Sequence, residues 1–273
     1  MLILIKMKKG LLVIVSFLML NAVSAQFNND FFNDSTKRIS VSFGANYTYG
    51  SEVVNTSFLN KFLFGGKIEQ NEKDDVYNSL NSINTLGQDL NYQLNVEISV
   101  DTLFNKTNLS LLFGFEYVEH FDAQFTEDLF KFSFDGNKQF AGQKAEINNT
   151  IFNFFEYQQF NFGLISTQTK KNKVAKEGVI ISLIKGQNHQ AIVVPEGSIF
   201  TEQDGKELIV DINYTYNSSD TSNTNLLAFN GLGISTDLFT DFILKNGDKV
   251  HLAVNDLGFI YFNKSSLEYT TDS

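Results

Sequence analysis

The chain contains 273 residues, with no cysteine and a formal net charge of −10. The missing cysteine excludes disulfides and thiolate chemistry, and the acidic balance argues against a nucleic-acid partner, because such binding depends on neutralising phosphates with Lys and Arg. The length suffices for one large β domain or two small ones, and a single proline, Pro195, leaves the backbone free to form long β ladders.

The first element in chain order is a predicted signal peptide, residues 1–25. A head rich in lysine precedes the apolar run 11–20, and Val23-Ser24-Ala25 supplies the small residues that a signal peptidase requires. The alternative is a membrane anchor, but a spanning helix needs about 20 apolar residues, and this run is about half as long. We therefore expect cleavage, which leaves residues 26–273 as the mature domain.

Strict alternation of apolar and polar residues predicts strands at residues 41–49 and 89–101. Successive side chains of a strand point to opposite faces, so each segment has one apolar face and one polar face. The same pattern returns at residues 109–117 and 208–216. Weaker candidate strands are residues 129–135, 152–166, 176–185, 226–244 and 249–262.

One segment, residues 68–83, breaks the β rhythm. It is mostly polar, and Ile68, Val76, Leu80 and Ile83 recur at roughly helical spacing. We predict a short helix here, which can plug a lumen or merely pack against the mouth of a barrel.

Strand length points to the fold class. Strands of globular proteins average about five or six residues, whereas a tilted strand needs about nine to eleven residues to cross a membrane, and the clearest segments reach that length. Their polar faces suit a wet lumen, and their Leu, Val, Ile and Phe faces suit lipid. We predict an all-β protein, an antiparallel transmembrane β-barrel. A soluble β-sandwich is the alternative, because its strands also alternate.

The C-terminal residues bear on the completeness of that barrel. Bacterial barrels usually close with a last strand that ends in an aromatic residue, whereas this sequence ends Tyr269-Thr270-Thr271-Asp272-Ser273. An open strand edge is not tolerated in lipid. We therefore expect residues 26–273 to be the N-terminal portion of a barrel domain, with C-terminal strands missing.

No catalytic constellation emerges from the sequence. The three histidines match no compact metal motif, and there is no nucleophile-elbow motif. We expect a protein that is not an enzyme and that uses neither a cofactor nor a metal. If the lumen binds a solute, the carboxylates on the predicted polar faces are the groups it would meet; the alternative is that they are only hydrogen-bonded lining. These candidate lumen residues are Asp89, Glu97, Glu116 and Asp211.

Several phrases of the sequence resemble an uncharacterised family of outer-membrane proteins from Bacteroidota, itself classed as a domain of unknown function. They are residues 55–68, 84–91, 196–198, 230–238 and 256–260. The resemblance covers most of residues 26–273 and implies a β-barrel that continues beyond the last of these phrases. It is loosely similar in style to hydrophobic-compound transporters and to barrels of the gliding and secretion machinery.

Together these observations predict an outer-membrane β-barrel that acts in channel formation, transport or envelope machinery. Two alternatives stay open: a surface scaffold that the barrel merely anchors, and a secreted soluble β-protein that binds a ligand. The expected partners are outer-membrane lipid and other envelope proteins, with no nucleic acid. The sequence does not identify a small-molecule ligand.

Overall fold

The computed structural model describes residues 38–170, 173–223, 225–244, 247–263 and 265–271. All of them belong to one compact unit, residues 34–273. The predicted signal peptide lies outside the described residues.

Antiparallel strands make up most of the described chain, and they join in one sheet. The strongly alternating segments are confirmed as parts of β1, β2, β3 and β7. The ten strands are β1 (Ile39–Ser51), β2 (Ile83–Val100), β3 (Leu109–Thr126), β4 (Lys144–Glu146), β5 (Thr150–Lys170), β6 (Lys173–Thr201), β7 (Leu208–Ser218), β8 (Gly231–Ile243), β9 (Lys249–Phe262) and β10 (Leu267–Thr270).

These strands occupy only seven positions across the sheet, because some lie end to end. The long strand β6 pairs with β8 along residues 174–186 and with β7 along residues 190–201. In the same way β9 pairs with β8 while β10 pairs with β7, and β4 continues the line of β5 beside β6. The order is therefore β1, β2, β3, β4/β5, β6, β7/β8 and β9/β10.

The two ends of the sheet differ in their connections. At one end, the turn end, short segments join β2 to β3, β5 to β6 and β8 to β9. At the other end, the helix end, residues 52–82 join β1 to β2 and residues 127–149 join β3 to β5. All helical structure within the described residues lies in these two long connections.

Three α-helices form at the helix end: α1 (Thr56–Phe64), α2 (Gln70–Tyr77) and α3 (Glu127–Asp135). Helix α1 begins where Asn55 accepts a hydrogen bond from the Phe58 amide at 2.9 Å, and it ends at Gly65, whose φ of 81° favours glycine. A 3₁₀ turn, Asn137–Phe140, follows α3. The predicted helix at residues 68–83 is confirmed only over α2, because the chain already enters β2 at Ile83.

The predicted strand at residues 129–135 is wrong, since these residues lie in α3. Phe130, Phe132 and Phe134 alternate with polar residues and so imitate a strand. Thr126 accepts a hydrogen bond from the Leu129 amide at 3.1 Å and thereby caps a helix, whose first turn carries two acidic residues. Phe130 and Phe134, four residues apart, then pack side by side with ring centroids 4.5 Å apart.

The helices bury an apolar cluster against the sheet. Phe58 of α1 and Val76 of α2 are 2 % and 1 % exposed, and they pack with Phe130 of α3 and with Ala123 and Phe125 of β3. Odd-numbered residues of β3 share one face, so the helices cover the helix end of the same face that carries Phe113 and Phe115.

An ion pair joins α2 to α3 at the surface of this cluster, and it gives the helix packing a pH dependence. Lys73 Nζ lies 2.8 Å from Asp135 Oδ1, and Tyr77 donates to Asp135 Oδ2 at 2.5 Å. Burial opposes ionisation of Asp135, but the hydrogen bonds from Lys73 and Tyr77 and the charge of Lys73 prevail and lower the pKa of the carboxyl group.

Because the folded-state pKa of Asp135 is lowered, its stabilising effect is present above the unfolded pKa of about 3.9 and is lost as pH falls through the lower folded value. We expect Asp135→Asn to cost up to about 1 kcal/mol at neutral pH and to flatten the loss of stability on acidification. Urea titrations of both proteins at neutral pH and near pH 3 test this. An identical pH dependence in the two would contradict it.

Candidate functional site

One face of the sheet carries a continuous row of exposed apolar side chains. The ladders from β1 to β5 run without a register shift, so residues paired across strands share a face. Every member of the row is apolar and is between 37 % and 67 % exposed. In order across the seven positions the row is Phe43, Leu94, Phe115, Phe160, Leu183, Ile234 and Phe259.

Two further rows towards the turn end complete what we call the apolar band. Thr236 is their only polar member. The first is Val41, Val96, Phe113, Phe162, Ile181, Thr236 and Leu257, and the second is Ile39, Ile98, Leu111, Leu164, Val179, Leu238 and Val254.

The row that borders the band towards the helix end is mixed, and we call it the tyrosine row. It is Ala45, Tyr92, Tyr117, Gln158, Lys185, Leu232 and Tyr261. The six-residue step from Leu111 to Tyr117 spans about 20 Å of strand at about 3.4 Å per residue. The band and the tyrosine row together therefore extend about 20 Å along the strands.

The opposite face, the polar face, carries small and polar side chains. A complete row across it is Ser42, Asn95, Gly114, Asn161, Ser182, Ser235 and Gly258. Asn161, Ser182 and Ser235 are 6 %, 0 % and 2 % exposed. The face with polar residues is thus the buried one, and the apolar face is the exposed one, which is the reverse of a soluble sheet protein.

Contacts between distant strands show that the sheet curls around the polar face. Lys176 Nζ of β6 lies 3.1 Å from Glu97 Oε2 of β2, and Gln159 Nε2 of β5 lies 3.3 Å from Asp256 Oδ1 of β9. Each pair bridges three strand spacings, about 14 Å along the sheet at about 4.8 Å per spacing. Side chains reach across only because the polar face is strongly concave.

The concave side is filled near the turn end. Leu112, Ile165 and Ile180 form a buried cluster there, against which Phe239 packs. Gly178 makes room for this packing, since a Cβ at that position would lie 2.2 Å from the Phe239 ring. A side-chain-filled interior is typical of barrels of about eight strands.

Three of the four candidate lumen residues lie on the polar face, and each has a partner there. Glu97 pairs with Lys176, which is 4 % exposed. Asp89 lies 2.5 Å from Nδ1 of His120, whose Nε2 lies 2.9 Å from Asp122.

Glu116 accepts a hydrogen bond from Asn91 on the same face. Asp211 is not brought together with the other three candidates. It is an exposed residue of β7 at the helix end, where it lines a shallow cavity of about 280 Å³ together with Lys144 and Glu196.

The ion pair of Glu97 and Lys176 gives a direct test of the curl. Removing one partner of a buried ion pair weakens the compensation of the charge that stays behind, which typically costs about 3–5 kcal/mol. We expect Glu97→Gln to destabilise the folded sheet by that order, whereas Arg38→Gln, which breaks the exposed pair with Asp101, costs under about 1 kcal/mol. Equal effects on the unfolding free energy would contradict this placement of Lys176.

Asp237 and Asp256 also belong to the polar face, and the sequence analysis missed them. Asp256 has a φ of 54°, and its amide donates to Asp237 Oδ1 at 2.6 Å across a β-bulge. The sequence does carry the signal, because the apolar positions of β9 change parity, from Leu252 and Val254 to Leu257 and Phe259. The extra residue at the bulge compensates for this change, so that the apolar side chains face outward on both sides of it.

A cluster of polar side chains on the outward face borders the apolar band on its helix-end margin. The Tyr117 hydroxyl lies 2.6 Å from carboxylate oxygens of both Glu119 and Glu156. Gln187, the extra residue of a bulge in β6, and Asn188 both donate to Glu156. The apolar surface therefore stops at a defined height on β3, β5 and β6.

Residues 38–271, apart from their gaps, contain no group of three His, Asp or Glu side chains placed to hold a metal ion. None of the helices in that part of the chain is long and apolar enough to cross a membrane.

Comparison with known proteins gives one match. The model of a family described as a family of unknown function, DUF5723, matches residues 28–273. Neither a curated protein nor a solved structure matches the chain. Because the match covers nearly the whole sequence, the chain belongs to the DUF5723 family of unknown function.

Proposed function

We propose that residues 38–271 form the wall of an outer-membrane β-barrel, with the apolar band against lipid and the polar face turned inward. The observation that carries the proposal is the apolar band, whose three rows cross all seven strand positions and in which 20 of 21 side chains are apolar, Thr236 being the exception. Monomeric soluble proteins rarely expose contiguous apolar patches larger than a few hundred Å². Lipid is the solvent that stabilises such a surface on an antiparallel sheet.

The connections support an orientation of this wall. Outer-membrane barrels have short turns on the periplasmic side and longer loops outside. The turn end joins its strands by short segments, and the helix end carries α1, α2 and α3. We infer that the helix end faces outward. β1 begins at the turn end, on the side from which an exported chain enters the outer membrane.

The two edges of the sheet support closure by further strands. Within the described residues, β1 pairs only with β2, and β9 pairs only with β8. Because neighbours alternate in direction over seven positions, β1 and β9 run the same way, and direct pairing would be parallel. An antiparallel closure of the proposed wall would take an odd number of additional strands.

For activity we propose a non-enzymatic role in the envelope, as a channel, a transporter or a component of envelope machinery. The filled interior around Leu112, Ile165 and Phe239 favours one of the alternatives, a barrel that anchors a surface scaffold, over a wide aqueous pore. The scaffold would then present α1, α2 and α3 outside the cell.

Fractionation of the full chain, expressed with its leader, tests the barrel. We expect recovery in the outer-membrane fraction and a gel mobility that changes on heating, as for folded barrels. Recovery of the intact protein from periplasm or medium would contradict the proposal and favour the secreted soluble alternative. Planar-bilayer recordings of the purified protein then separate a pore, which conducts, from a filled anchor, which does not.

A further inference from the structure

In the connection from β7 to β8, residues 219–223 and 225–230 are held in a fixed shape by buried polar groups. Asn230 is 1 % exposed, and its side-chain amide donates to the carbonyl groups of Gln187 and Asn223, each at 2.8 Å. The Leu226 carbonyl accepts from Gln158 Nε2 at 3.0 Å and from Lys185 Nζ at 3.3 Å. The loop is therefore fastened to the outward face of β5 and β6.

The outer part of this loop is apolar and exposed. Leu226, Leu227 and Phe229 are 58 %, 82 % and 55 % exposed, and we call these three residues the apolar tip. The neighbouring Ala228 is 2 % exposed, and its amide donates to the Asn225 carbonyl at 2.8 Å. A loop held by its own hydrogen bonds thus displays large apolar side chains instead of folding them inward, although contact of apolar surface with water is unfavourable.

The position of the tip relative to the band identifies its surroundings. Gln158 and Lys185, on which the Leu226 carbonyl rests, are outward-facing members of the tyrosine row. Lys185 pairs with Leu232, which is 59 % exposed and adjoins the apolar band through Ile234. The tip therefore continues the apolar band on its helix-end margin, at the height where polar side chains replace apolar ones.

We propose that the apolar tip is an interfacial membrane anchor, which inserts into the boundary between headgroups and acyl chains and fixes the depth of the barrel in the bilayer. The occupant of this surface is lipid. The polar base suits the headgroup level, where Lys185, which is half-buried, and Gln158, which is 8 % exposed, hold the loop backbone while the three apolar side chains enter the acyl layer. The inference rests on the proposed barrel and adds a lipid contact outside the strands.

Tryptophan reporters test the anchor cleanly, because the chain contains no tryptophan. The reporter is Leu227→Trp, with Leu226→Trp as a second reporter in case the first fails to fold. Phe115→Trp marks the apolar band, and Leu208→Trp, 45 % exposed in β7 far towards the helix end, marks water-exposed strand. Each full-length variant is folded into phosphatidylcholine vesicles with or without bromine on the acyl chains, which quenches fluorescence on contact.

We expect quenching of the tip reporter comparable with that of the band reporter, stronger for bromine near the headgroups than near the bilayer centre, and none for Leu208→Trp. Quenching at Phe115→Trp without quenching at Leu227→Trp would overturn the anchor and leave the barrel intact. Acrylamide quenching gives a second test: a tip reporter that is shielded from acrylamide in native membranes but not in vesicles contacts a protein partner, and this result would also overturn the anchor. Absence of quenching at every position would overturn both the anchor and the barrel.

Discussion

Replacing Phe160 with arginine is expected to abolish stable insertion of the sheet. Phe160 lies in the central strand β5, in one of the two fully apolar rows of the band, and is 45 % exposed. A charged side chain on the lipid face of a transmembrane barrel costs up to about 2–4 kcal/mol, the most at the bilayer midplane. If the same residue faced water, an exposed substitution would change stability by about 0.5 kcal/mol or less.

The matched control is Leu208→Arg, since Leu208 is also 45 % exposed but lies beyond the band in β7. Urea titration of both variants in phospholipid vesicles, read by heat-modifiable mobility, measures the difference. A large loss for Phe160→Arg with little change for Leu208→Arg supports lipid contact. Two equally small effects would favour the secreted soluble protein.

Replacing Phe58 with alanine is expected to be the most destabilising single change at the helix end. Its ring is 2 % exposed and lies 5.9 Å from the Phe130 ring and 5.1 Å from the Phe134 ring, centroid to centroid. Truncation of a buried phenylalanine typically costs about 3–5 kcal/mol through lost burial and the cavity that remains.

The apolar cluster around Phe58 lies at the helix end, whereas the apolar band lies nearer the turn end. We therefore expect Phe58→Ala to loosen the helices and leave the band folded. Amide hydrogen exchange distinguishes the helices from the band. We expect protection from exchange to fall in α1 and α3, whereas the amides of β5 and β6 within the band keep their protection. Phe62→Ala is the control, since Phe62 of α1 is 53 % exposed. Loss of protection across the whole sheet would show instead that helices and strands unfold as one unit.

The main strands of this protein follow from local sequence alone. Residues 41–49 and 89–101 alternate strictly, and a period of two sustained over nine or more residues is typical of extended backbone that has two different faces. The distribution of side chains between the apolar band and the polar face was therefore predictable, including the placement of Asp89, Glu97 and Glu116 on the polar face. Only Asp211 lies apart from that group, because β7 continues the sheet beyond the band.

Local pattern fails where capping or long-range packing competes with it. Phe130, Phe132 and Phe134 alternate as in a strand, yet the cap at Thr126 and the contacts of Phe130 and Phe134 with Phe58 select a helix. Helix α1 was not predicted at all, although Phe58, Leu59 and Phe62 recur at helical spacing. In the sequence, the bulge at Asp256 is visible only because the apolar positions of β9 change from even-numbered to odd-numbered residues.

The sequence by itself determined which residues form strands and which side of each strand is apolar, because side-chain direction in a strand depends only on position along the chain. The tertiary structure decided the rest. The end-to-end arrangement of β4 with β5, of β7 with β8 and of β9 with β10 reduces ten strands to seven positions, and the buried contact between Lys176 and Glu97 curls them around the polar face. These features depend on residues far apart in sequence, whose pairing and packing no local period encodes.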